Sequence, residues 1–138
     1  MQAEIAKPWL AFYEKLGIET PDFEDLPVGS YVQKHAKERP DASALAYFDK
    51  VISYSELNTA ANQLANALTA LGIKRGDVIG LHMPNIPQYA IAIIAISKMG
   101  AIGTGLSPLL APPELAHQIK DGEVKIVISL SDLAGALA

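Results

Sequence analysis

Residues 78–105 read VIGLHMPNIPQYAIAIIAISKMGAIGTG, and the fold follows from this stretch. It opens with an apolar run of strand length, Val78 to Met83. The almost wholly apolar segment 88–99 is too long for a buried strand, so we predict a helix there. Gly100 ends this helix, and residues 101–105 return as a second apolar strand. Strand, helix and strand in succession form a βαβ unit, whose crossover is right-handed in about 98% of cases.

The same alternation continues towards the end of the chain. Pro112, Pro113 and Glu114 suit the first turn of a helix that ends near Gly122, and residues 124–129 are predicted to be a third strand. The order βαβαβ with short connections predicts an α/β fold, the amino-terminal part of a doubly wound, mainly parallel sheet. Residues from Ser131 are expected to start one more helix. Because the chain stops soon afterwards, we expect the sheet that it forms to be incomplete.

A β-hairpin and a capped helix are predicted just upstream. Residues 44–48 and 51–54 are β-prone runs, with Asp49 and Lys50 as the tight turn between them. Ser53 and Glu56 have the capping-box spacing, so a helix is expected to begin there and to end at Gly72. Asn85 and Pro87 are expected to start the helix of the βαβ unit. The buried stripe of the capped helix is predicted to contain Leu57, Ala61, Leu64, Leu68 and Leu71.

Two further helices are predicted near the amino terminus. The first begins at Pro8 and ends at Gly17, and the second runs from Gly29 to about Arg39. Residues 20–27 between them are rich in acid and proline and are predicted to be a solvated linker. The first helix has an apolar face, which is expected to dock on the body or on a second subunit. That face contains Trp9, Leu10, Phe12, Tyr13 and Leu16.

Composition narrows the possible partners. The chain has 138 residues, of which 50% are hydrophobic and 19% charged, and its mean hydropathy is +0.20. Such a composition indicates surface that something else covers. We expect a homo-oligomer, because three parallel strands leave an unpaired sheet edge and an uncovered helix face. The net charge of −4 argues against binding to nucleic acid. The absence of cysteine excludes a disulfide framework, a thiolate metal site and a cysteine nucleophile.

No targeting or membrane-spanning segment is predicted. The amino terminus lacks the basic region and apolar core of a secretory signal. Residues 88–110 approach the length of a membrane span, but Ser97, Lys98, three glycines, Ser107 and Pro108 interrupt them. The expected location is the cytoplasm, with peripheral membrane contact left open, although the first helix lacks the basic polar face of interfacial helices.

The sequence contains no motif for phosphate binding. Gly100, Gly103 and Gly105 have the wrong spacing for G-x-G-x-x-G and enter a strand that the fingerprint would have to leave. They are interpreted as small residues that let a helix pack closely. No G-x-x-x-x-G-K-[ST] motif is present.

No catalytic or metal-binding arrangement is predicted from spacing either. His35, His82 and His117 are far apart, and His82 and His117 are interpreted as structural. Ser107 is not in a G-x-S-x-G elbow. The remaining polar candidates are interpreted as helix caps, at Ser53 and Ser55, or as solvated residues at the ends of helices and strands, at Asp121, Glu123 and Asp132.

Six blocks of this sequence occur in a familiar order. They are ISYSEL at 52–57, GIKRGDV at 72–78, MPN at 83–85, KMGA at 98–101, SP at 107–108 and PPEL at 112–115. In this order they resemble the amino-terminal part of the adenylate-forming acyl-CoA synthetases, and most of all the long-chain fatty-acid CoA ligases. The resemblance covers residues 28–129. The chain departs from the family at Ser107, which stands where the family has Asn, near Gly105, where a Pro is frequent, and at Pro113, where Arg is common.

The resemblance implies a longer enzyme. Such a ligase uses ATP and Mg²⁺ to convert a fatty acid to an acyl-adenylate, then transfers the acyl group to coenzyme A, releasing AMP and pyrophosphate. The family's phosphate loop, adenine-binding segment, hinge and catalytic lysine would lie beyond Ala138. We therefore assign no catalytic, cofactor-binding or metal-binding residue here and expect the chain to be inactive alone. Residues 1–27 are the predicted helix and linker, and residues 28–138 an incomplete amino-terminal subdomain of the large domain.

Two alternatives remain open at this point. One is a self-sufficient flavodoxin-like module with a small ligand at the carboxyl ends of its strands, near Met83, Pro84 and Asn85 and the segment 106–108. The other is a non-catalytic protein that associates with itself through the apolar face of residues 9–16 and an exposed sheet edge.

Overall fold

A computed structural model describes residues 7–19 and 24–137. It confirms the predicted α/β class, with a hairpin followed by a parallel three-stranded sheet. The elements are α1 (Leu10–Lys15), α2 (Val28–Glu38), β1 (Ser43–Tyr47), β2 (Lys50–Ser53), α3 (Tyr54–Ala70), β3 (Val78–His82), α4 (Pro87–Met99), β4 (Ile102–Gly105), α5 (Pro112–Asp121), β5 (Val124–Ser129) and a final 3₁₀ helix (Ser131–Leu137).

β3 is the central strand of the parallel sheet, in the order β4-β3-β5. Ile79 pairs with Gly103 on β4 and with Ile126 on β5. Ile79 and Leu81 are fully buried and pack with the residues of α4. A Cβ atom on Gly103 would lie 3.5 Å from Ile96, and one on Gly105 would lie 3.3 Å from the hydroxyl of Tyr89. The contact at Gly105 supports its interpretation as a small residue that lets a helix pack closely. At Gly103 an added Cβ would make ordinary van der Waals contact, so close packing does not require glycine there.

The other face of β3 is just as tightly filled. β4 and β5 lie on opposite sides of β3, so right-handed crossovers place α4 and α5 on opposite faces of the sheet. On the face away from Ile79, a Cβ atom on Gly80 would lie 2.6 Å from Cδ1 of Leu106 and 3.1 Å from Cγ1 of Val124. Only glycine fits at this position without displacing its neighbours.

The ends of α3 follow the sequence closely. The backbone N–H of Glu56 donates to Ser53 Oγ at 3.2 Å, and the backbone N–H of Ser53 donates to Glu56 Oε2 at 2.8 Å, so the predicted capping box is confirmed. Gly72 follows the helix with φ +87°. The next N–H, of Ile73, donates to the carbonyl oxygen of Leu68 at 3.1 Å, which completes a Schellman motif.

The predicted start of α4 needs correction. The helix begins at Pro87 and its N-cap is Ile86, which makes no side-chain cap hydrogen bond. Asn85 therefore does not cap it, because Asn85 lies one residue too early in the chain. Proline at the first helical position has no N–H that needs a partner, so the absence of a polar cap costs this end of the helix little stability.

The hairpin turn is one residue earlier than predicted. Tyr47 pairs with Lys50, so the two-residue loop consists of Phe48 and Asp49. Phe48 has φ +49°, a left-handed conformation that is uncommon for a bulky residue. Turn patterns expect Gly, Asn or Asp in that conformation, so nothing in the sequence indicated Phe48 as a turn residue.

The two chain ends show one agreement and one difference. α1 lies within the helix predicted from Pro8 to Gly17, and none of its residues is buried. Residues 20–23 of the predicted linker lie outside the described residues, and α2 begins at Val28. At the other end, the further helix expected from Ser131 is a 3₁₀ helix, Ser131–Leu137.

We predict that Gly29→Ala destabilises the protein. A Cβ atom there would lie 2.7 Å from Cγ of Lys98 and 3.3 Å from the carbonyl oxygen of Ile94, where α2 crosses α4. Alanine favours helices by up to about 1 kcal/mol, but overpacking costs about 1–3 kcal/mol. We expect a net loss of about 1 kcal/mol in the free energy of unfolding, measured by urea denaturation. Gly135→Ala is the control, since nothing lies within 4 Å of its Cβ position. Equal stability of both variants would contradict the prediction.

Candidate functional site

The carboxyl ends of the three parallel strands meet at one edge of the sheet. β3 ends at His82, β4 at Gly105 and β5 at Ser129. Ligands of open α/β sheets bind outside this edge, so it is the first place to look for a site. His82 is 1% exposed, and its Nδ1 lies 3.0 Å from Ser129 Oγ. This hydrogen bond ties the ends of β3 and β5 together.

Two hydrogen bonds meet at the hydroxyl of Ser129. The hydroxyl donates to the carbonyl oxygen of Leu130 at 3.2 Å, which leaves its oxygen able to accept a hydrogen bond from Nδ1 of His82. Nε2 of His82 is buried without a partner among the described residues. The structural interpretation of His82 is supported, although only one of its two ring nitrogens is satisfied.

The loops that the sequence singled out as a ligand site are divided between core and solvent. Met83 and Leu106 are buried, 5% and 2% exposed, and close off the sheet edge. Pro84, Asn85 and Ser107 are exposed. Asn85 lines a cavity of about 230 Å³ between the hairpin and the first turn of α4. The segments 83–85 and 106–108 therefore do not form the walls of one pocket, because the cavity beside Asn85 is lined by other elements.

The remaining candidates lie on separate elements. His35 lies on α2, with its ring centroid 5.1 Å from that of Tyr54, and His117 is exposed on α5. Ser55 lies inside α3, so of the two serines interpreted as caps only Ser53 caps the helix. The three acidic candidates, Asp121, Glu123 and Asp132, are all exposed, as predicted.

In residues 7–19 and 24–137, no group of three or more His, Asp and Glu side chains is placed to hold a metal ion. In the same ranges, no helix combines the length and the apolar character needed to cross a membrane.

A polar cluster that the sequence did not predict joins α3 to α4. Lys98 Nζ donates to Asn58 Oδ1 at 2.5 Å and to Asn62 Oδ1 at 2.7 Å. Burial lowers the pKa of Lys98, because the charged amine is partly removed from water. Ser97, the preceding residue, accepts the backbone N–H of Gly29 at 3.0 Å. The i, i+4 spacing of the two asparagines was the available signal, since it places both on one face of the helix.

The role of this cluster is to hold α3 and α4 together. An ammonium group between two neutral amide oxygens forms charge-assisted hydrogen bonds and draws two helices together. A second charged contact lies at the entrance to β3, where Asp77 accepts from Lys125 Nζ at 2.8 Å and from the backbone N–H of Lys74 at 2.6 Å. The hydrogen bond from Lys125 is the main reason that the pKa of Asp77 is lowered.

The family is established by comparison with known proteins. The sequence profile of the family described as AMP-binding enzyme matches residues 32–137, well over half of the chain. The chain therefore belongs to the AMP-binding enzyme family. The resemblance drawn from the six sequence blocks is confirmed at this level, and the fold matches the N-terminal domain of adenylate-forming enzymes.

Individual relatives are named for different products. An acetyl-coenzyme A synthetase of Cronobacter sakazakii is 35% identical over 107 residues, which are 73% of this chain and 16% of that protein. A linear gramicidin synthase component of Brevibacillus parabrevis is 31% identical over 114 residues, 83% of this chain and 2% of that one. The chain thus spans about a sixth of the length of the acetyl-coenzyme A synthetases that it matches.

Solved structures agree with the sequence relatives. A fatty acyl CoA synthetase of Mycobacterium tuberculosis superposes with a TM-score of 0.74 at 30% identity, over 80% of this chain and 22% of that one. The N-terminal domain of FACL13 from the same organism gives a TM-score of 0.75 at 30% identity, over 81% of this chain and 29% of that one. These similarities do not support the alternative of a flavodoxin-like module or of a non-catalytic self-association domain.

We predict that Lys98→Met weakens the contact between α3 and α4. Methionine fills a similar volume but donates no hydrogen bond, so two amide oxygens lose their partner. We expect a loss of about 1 kcal/mol in the free energy of unfolding, from urea denaturation at pH 7. Lys37→Met, an exposed site on α2, is the control and should change stability by less than about 0.5 kcal/mol.

A double-mutant cycle isolates the cause. In a background of Asn58→Ala and Asn62→Ala, the Lys98→Met substitution should change the free energy of unfolding little, because the hydrogen bonds from Lys98 are already lost. A full loss in that background would show that the amine acts through other contacts.

Proposed function

We propose that this chain forms the amino-terminal part of the large domain of an AMP-forming acyl-CoA ligase. Residues 28–138 would be the scaffold, and residues 1–27 a separate helix and linker. The observation that carries the proposal is the family profile, which extends from Val32 to Leu137 and so spans the hairpin, α3 and the whole parallel sheet.

The proposed reaction joins a fatty acid to coenzyme A with ATP and Mg²⁺, and it releases AMP and pyrophosphate. A carboxylate is a poor electrophile until one oxygen becomes a leaving group, and the AMP moiety of ATP supplies that leaving group. We place no catalytic, nucleotide-binding or metal-binding residue on this chain. Its part is to hold the carboxyl edge of the sheet in one position through β3 and the His82–Ser129 hydrogen bond.

We propose a long-chain fatty acid as the acid substrate. The support is the order of the six sequence blocks and the 30% identity to a fatty acyl CoA synthetase. Acetate is the second candidate, since an acetyl-coenzyme A synthetase is 35% identical to this chain over the matched residues. A cytoplasmic location and a homo-oligomer accompany the proposal as predictions.

A chimeric enzyme tests the scaffold role. Residues 32–137 replace the aligned segment of the Mycobacterium tuberculosis fatty acyl CoA synthetase, and acyl-CoA formation is measured with ATP, Mg²⁺ and CoA. We expect activity within about tenfold of the parent, equivalent to about 1.4 kcal/mol. The 138-residue chain alone should release no AMP from ATP.

The matched control is the same chimera with Ile79→Asp. Ile79 is fully buried in β3, and an unpaired carboxylate there should destabilise the sheet and abolish activity. A soluble, folded chimera without activity would contradict the scaffold role.

The identity of the acid substrate is tested separately. The assay is ATP–pyrophosphate exchange, catalysed by the full-length protein that the gene encodes. Palmitate should support exchange better than acetate. Exchange with acetate alone would replace the long-chain proposal by an acetyl-CoA synthetase.

A further inference from the structure

We draw no further inference here: the strongest candidate, the buried ring of His82 at the carboxyl ends of β3 and β5, belongs to the sheet edge already described, and nothing in the described residues shows what its Nε2 would bind.

Discussion

The whole structure depends on β3 being buried on both of its faces. On one face Ile79 and Leu81 lie under α4, and on the other Gly80 leaves the room that Leu106 fills. A strand enclosed in this way needs apolar residues throughout, which is why the run from Val78 shows no polar alternation. Every neighbouring element takes its position from this strand: β4 and β5 pair with it, and α4 covers it.

The helices upstream are attached to this unit by contacts of two kinds. Gly29 lets α2 approach α4 so closely that a methyl group would collide with Lys98. Lys98 in turn donates to two asparagines of α3, so one side chain links all three helices. An apolar contact between the helices would avoid the desolvation that lowers the pKa of Lys98, but the amine is only partly buried, and its two hydrogen bonds to amide oxygens offset part of that cost. The contact among α2, α3 and α4 therefore combines close backbone packing at Gly29 with the hydrogen bonds of Lys98.

Sequence-based prediction succeeded where the signal is local. The capping box at Ser53 and the glycine after α3 form through contacts within a few residues, so their spacing is visible in the chain. It was wrong for the Asn85 cap and for the hairpin turn, because Pro87 and the Tyr47–Lys50 pair shift each boundary by one residue. The carboxyl ends of β4 and β5 lie at the residues that the sequence predicted, and β3 ends one residue earlier, at His82. The Lys98 cluster was missed, because its partners are 36 and 40 residues away.

Periodicity and short collinear blocks were enough to establish the α/β class, the βαβαβ order and the likeness to adenylate-forming enzymes from the amino acids alone. The folded arrangement was needed to show that Met83 and Leu106 are buried rather than available to a ligand, and that His82 pairs with Ser129. It was also needed to show that no residue of α1 is buried by the described part of the chain. The difference comes from distance along the chain. Burial and pairing arise from atoms that meet only when remote segments pack, and residue spacing within one segment carries no information about which segments will meet.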